Sequence, residues 1–102
     1  MNTYQQGDVI LRRIEMVPND AKRTAKKRVV LAEGETTGHA HRINSTGAEL
    51  FDLNGRMFLK VVEPAMLTHE EHKHIEIDPG IYEVGRVREY DWLQKMERKV
   101  ID

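Results

Sequence analysis

The dipeptide Asn54-Gly55 lies between two runs of strand character, Leu50-Phe51-Asp52-Leu53 and Met57-Phe58-Leu59-Lys60-Val61-Val62. A two-residue connection of this kind closes a β-hairpin, because both turn positions need positive φ, which Asn tolerates and Gly adopts freely. The middle of the chain is thereby committed to antiparallel pairing, and the rest has to extend or cover that pair.

The flanking segments extend it. Val9-Ile10-Leu11, after Gly7-Asp8, reads as a strand running toward Ile14, and Pro18-Asn19-Asp20 breaks it. The basic stretch up to Lys27 reads as a loop with one helical turn, and Val29-Val30-Leu31 as the next strand. Gly34 and Gly38 bracket an irregular turn, after which residues 39 to 43 alternate. Pro64 ends the hairpin's second strand, residues 72 to 77 alternate, and Asp78-Pro79-Gly80 turns the chain into an extended segment over 81 to 90. Trp92, Leu93, Met96 and Val100 are spaced at helical intervals, which predicts a helix over 92 to 101. The fold class expected is mainly β: a small antiparallel barrel or sandwich with a C-terminal helix, in a single domain over residues 1–102.

Composition narrows the functional classes. Cysteine is absent, which excludes a disulfide framework and thiolate metal sites. There is no apolar run of membrane-spanning length, and the first residues do not read as a secretory signal, so a cytoplasmic protein without membrane contact is expected. The formal net charge is −1, yet residues 11 to 30 alone carry +5. A basic segment on an otherwise acidic chain suits a small anionic ligand better than long nucleic acid, which selects a basic domain. The plainer reading of the same segment is a solvated lysine-rich loop.

All five histidines fall in two windows, "GHAHR" at 38–42 and "THEEHKH" at 68–74. On a strand, residues two apart share a face, so His39 and His41 point together, with Ala40 and Arg42 opposite. By the same parity His72, His74 and Glu76 form a second row while Ile75 and Ile77 face the core. His69 is one odd step from that row and needs a bend at Glu70-Glu71 to join it. Each histidine by itself suits a surface or a hydrogen-bonded core position, but five in two windows point to a shared site.

Two chemistries use such a site. Neutral imidazoles with a carboxylate bind zinc, iron or manganese. Here the chain partly resembles the cupins, small β-barrels with a metal inside, through Gly34, His39 and His41; where that family places a glutamate, this chain has Ile43-Asn44-Ser45. Alternatively, one imidazole takes a proton from a ribose 2′-hydroxyl while another protonates the leaving 5′-oxygen, and cations stabilise the phosphorane between them. Candidates for the cationic part are Arg42, Lys73, Arg86, Arg88 and Lys27, with Tyr90 and Trp92 for base stacking.

The order "QGDVILRRI", "LAEGETTGHAHRI", "LTHEEHKHIEIDPGIYEV", "REYDW" resembles the compact ring nucleases of type III CRISPR defence, which degrade cyclic oligoadenylate. That resemblance implies a cytoplasmic, dimeric enzyme that opens 3′–5′ linked cyclic nucleotides without a metal. The expectation is thus a phosphodiesterase with His39, His41, His69 and His72 as catalytic residues, Arg42, Lys73, Arg86, Arg88 and Lys27 as nucleotide-binding residues, and no cofactor. Its partners are a small cyclic nucleotide and a second copy of the chain, since a core of about a hundred residues is modest. The alternatives are a cupin-like metal-binding protein and a nucleotide-binding module that sequesters its ligand without catalysis.

Overall fold

A computed structural model of the protein describes residues 2–34 and 36–87, together with the backbone of residues 100 and 101. The Asn54-Gly55 hairpin is formed as expected. Strand β4 (Ala40–Leu53) pairs antiparallel with β5 (Arg56–Val61), Leu53 opposite Arg56, and the turn residues have φ of 50° and 86°. Around it lie β1 (Thr3–Gln6), β2 (Val9–Ile14), β3 (Lys22–Glu33), β6 (Ala65–Thr68), β7 (Ile75–Ile77), β8 (Gly80–Arg86) and β9 (Val100–Ile101). Their spatial order is β7-β6-β4-β5-β8-β2-β1-β9, with β3 also on β4, and the whole curls into a nearly closed, almost entirely antiparallel barrel.

Strand β4 organises that closure. A strand has two edges, and β3 follows one of them from Glu33 opposite Ala40 to Lys22 opposite Asp52. The other edge is divided, residues 42–43 pairing with β6 and residues 48–53 with β5. Between the two segments the β3 register jumps, so that Lys26 faces Glu49 but Arg28 faces Asn44. The extra residues in β4 bend it into a corner, as bulges do in barrels. Gly47 sits there because the next connection passes against it: a Cβ at this position would lie 2.7 Å from Val62 Cγ2.

Period-two alternation then separates inside from outside. Val9 and Leu11, Val29 and Leu31, Leu59 and Val61, Ala65 and Leu67, and Ile75 and Ile77 all face the interior, where they meet Ile43, Leu50, Tyr4 and Tyr82 in one core. Full burial of an aliphatic side chain of this size contributes about 1.5–3 kcal/mol. Tyr4 and Tyr82 meet edge to face at 5.8 Å and stop one end of the interior. Their hydroxyls bond the Asp78 backbone, and Arg13 donates to the Tyr82 hydroxyl and to Pro79 O. The same burial lifts the Tyr4 phenol to a pKa of about 12.

Three expectations are changed by the tertiary structure, and a fourth falls mostly outside the described residues. The basic stretch 22–27 is not a loop with a helical turn but the first half of β3, held by pairing with β4 although its own residues are almost all exposed and polar. The strand expected over 72–77 is only Ile75–Ile77, because residues 70–72 bend. Asp78-Pro79-Gly80 does join two strands, yet they are not paired with each other: β7 pairs β6, and β8 pairs β2 and β5. Of the helix expected over 92–101, residues 92–99 lie outside the described residues, while Val100 and Ile101 pair parallel with Tyr4 and Gln5 of β1. No helix occurs among the described residues.

Candidate active site

At the end of the barrel away from the two tyrosines, the inward rows change from apolar to polar without changing face. In β4 the row containing Ile43 continues backward to His41 and, just ahead of the strand, to His39, and after β6 the row Ala65, Leu67 continues to His69. In β1 it passes from Tyr4 to Gln6, and in β8 from Tyr82 and Val84 to Arg86, which lies opposite Val9. These ends, the Gly7-Asp8 turn and the bend at 70–72 enclose a cavity of about 540 Å³. It is lined by His39, His41, His69 and His72 with Asp8, Glu33, Glu71 and Arg86. That volume suits one small organic ligand.

The imidazoles are in mutual contact. Ring centroids are 4.4 Å apart for His41 and His69, 4.6 Å for His69 and His72, 5.7 Å for His41 and His72, and 5.8 Å for His39 and His69. His41 is 3% exposed and His69 7%. Burial, together with the neighbouring His69 and His72, pushes the His41 pKa down to about 4, the nearby Asp8 opposing this. His41 is therefore neutral at pH 7 and keeps a lone pair. Gly7 makes the packing possible, since it has φ 57° and a Cβ on it would lie 2.7 Å from His72 Nε2.

The ring nitrogens have specific partners. Gln6, fully buried, donates its amide to Leu67 O and Lys73 O, both at 3.0 Å, and turns Oε1 to His41 Nδ1 at 2.9 Å. The Glu71 backbone N–H donates to His69 Nδ1 at 3.0 Å, and the Glu71 carboxylate lies 3.2 Å from His39 Nδ1. Asp8 Oδ1 is 3.8 Å from His41 Nε2, while Asp8 Oδ2 accepts from Arg86 Nη2 at 2.6 Å and from Nε at 3.0 Å.

The residues expected at the site divide clearly. His39, His41, His69, His72 and Arg86 line the cavity. Arg42, on the opposite face of β4 from His41, does not: it donates to Glu70 and to Gly38 O. Glu70 also accepts the Ala40 N–H, and these bonds, led by that to Arg42, lower its pKa to about 2. Lys73 is exposed, and its carbonyl, not its ammonium, serves the site through Gln6. Lys27 is an exposed bulge residue of β3 with φ 68° and is not part of the cavity. Arg88, Tyr90 and Trp92 lie outside the described residues. His74 and Glu76 are exposed and do not line the cavity, so the row expected from His72 through Glu76 is not formed.

Gln6, Asp8, Glu33 and Glu71 were not anticipated. For His69 a signal was present, its parity with Ala65 and Leu67 on the strand before it. For Gln6 there was none, because the second of two adjacent glutamines looks like any exposed edge residue. Among the described residues, three carboxylates and one guanidinium line the cavity, and that guanidinium, on Arg86, is paired with Asp8. Among the described residues, no group of three or more His, Asp or Glu side chains is disposed to hold a metal ion.

Fold and site together define a small β-barrel whose interior opens through a cluster of buried and half-buried imidazoles. The chain belongs to the DUF8820 family, a domain of unknown function, whose model matches residues 5–87. That span contains every residue lining the cavity. No curated protein and no solved structure gives a significant match to it.

Proposed function

We propose that the protein is a histidine-based phosphodiesterase acting on a small RNA-like nucleotide, with cyclic oligoadenylate as the leading substrate class. The observation that supports it is the set of four imidazoles on one cavity, with His41 kept neutral by burial. A neutral imidazole accepts the proton of a ribose 2′-hydroxyl as its oxygen attacks the adjacent phosphorus. A second imidazole supplies a proton to the departing 5′-oxygen, leaving a 2′,3′-cyclic phosphate and a free 5′-hydroxyl. General acid and base groups of this kind each contribute about 10²–10⁴-fold. Among the described residues Arg86 is the cation lining the cavity, so in this reading a single phosphodiester of the ring enters it and the remaining nucleotides lie outside its mouth.

The test is single-turnover cleavage of labelled cyclic tetra-adenylate, and of cyclic di- and tri-adenylate, by excess protein in EDTA. Cleavage that falls at least a hundredfold in His41→Ala supports the reading. Absence of cleavage by the wild type under every condition rejects it. Cleavage that needs an added divalent ion replaces it with the metal-binding alternative.

A further inference from the structure

We infer that Gln6 and the Glu71 backbone hold the two inner imidazoles of the cavity in opposite tautomers, His41 as a hydrogen-bond acceptor and His69 as a donor. This rests on the acid–base reading above for its consequence, though not for its geometry.

The argument begins at Gln6. Two carbonyl oxygens, Leu67 O and Lys73 O, lie 3.0 Å from one end of its amide, and only the NH₂ group can answer both. The atom left for His41 Nδ1 at 2.9 Å is an oxygen, so Nδ1 must carry a proton. In a neutral ring the lone pair then resides on Nε2, the nitrogen 3.8 Å from Asp8 on the cavity side. His69 is held the other way. Its Nδ1 receives the Glu71 N–H, so that nitrogen is the acceptor and the proton sits on Nε2. Gly34 keeps the approach to this N–H open, since a Cβ there would stand 3.2 Å from His69 Nε2.

The cavity therefore has a built-in polarity across 4.4 Å of ring separation. A ligand that satisfies both rings brings a hydrogen to His41 and an acceptor oxygen to His69. A hydroxyl beside a phosphoryl oxygen has that pattern. His69 then acts on a non-bridging oxygen as a neutral donor, because protonating its Nδ1 would set two hydrogens against each other. The proton for the leaving group comes instead from His39, whose Nδ1 faces the Glu71 carboxylate at 3.2 Å. Gln6 touches no reacting atom. It is a positioning residue, joining β1, the loop that carries His69 and His72, and the His41 ring.

Long-range ¹H–¹⁵N correlation of the histidine rings at pH 7 reads the tautomers directly, because bare and protonated ring nitrogens resonate far apart. The expected wild-type spectrum has His41 with Nδ1–H and bare Nε2, and His69 with Nε2–H and bare Nδ1. Finding either ring in the other tautomer, or in an even mixture, overturns the inference whether or not any substrate is cleaved. Gln6→Met should convert His41 to a mixture and lower kcat at least tenfold with KM changed less than twofold. Glu71→Ala should leave the His69 tautomer intact, because the donor is the backbone; a changed His69 tautomer in folded Glu71→Ala counts against it. Retained tautomers without cleavage would reject the phosphodiesterase alone.

Discussion

Neutral His41 ties the stability of the barrel to pH. In the folded protein its pKa is about 4, against 6.5 for an unperturbed imidazole. Between these values the unfolded chain binds a proton at position 41 and the folded chain does not, so stability rises with pH through this window. The stability associated with neutral His41 is intact above about pH 6.5, decreases as pH falls, and is fully lost below about pH 4. A difference of this size corresponds to about 3 kcal/mol in total, about 2 kcal/mol of it already lost at pH 5. Against a usual domain stability of about 5–15 kcal/mol this is a large part. The assay is urea unfolding of wild type and His41→Asn at pH 7, 6, 5 and 4. The variant is expected to be less stable at pH 7, having lost the ring that packs on His69 and His72. Its further loss between pH 7 and 4 should be smaller than the wild type's by about 3 kcal/mol. Comparing losses cancels what the other histidines contribute by themselves. Equal losses in the two proteins would show that His41 is not held neutral and would refute the reasoning.

Gly55→Ala places a side chain at φ 86° in the hairpin turn and should cost about 1 kcal/mol, read as a lower urea midpoint with unchanged slope. Leu67→Ala removes a fully buried side chain just below His69 and should cost about 2–5 kcal/mol by the same assay. Gly7→Ala brings a Cβ within 2.7 Å of His72 Nε2 and should shift the His72 ring resonances while the hairpin amides stay in place. Arg42→Ala releases Glu70 from β4, and hydrogen exchange should quicken at the Ala40 and Glu71 amides. Unchanged exchange at both would show that the pair does not hold the 69–72 segment.

What the sequence by itself determined is local. Asn54-Gly55 closes its hairpin because the backbone angles it needs are a property of those two residues. His39 and His41 share a face, and Arg42 takes the other, because side chains alternate along any strand. An antiparallel, mainly β chain follows from features of this kind. Only the tertiary structure decided which rows meet. His69 reaches to 4.4 Å from His41 because β6 pairs with β4 at residues 42–43, a register set by packing across the barrel. The same long-range pairing draws the basic segment 22–27 into β3, away from the cavity, and places Gln6 under His41 although 35 residues separate them. Turn chemistry and alternation act over a few residues and can be read in the order of the chain. Strand partnership is settled by burial shared between distant segments, and no single stretch of sequence carries it.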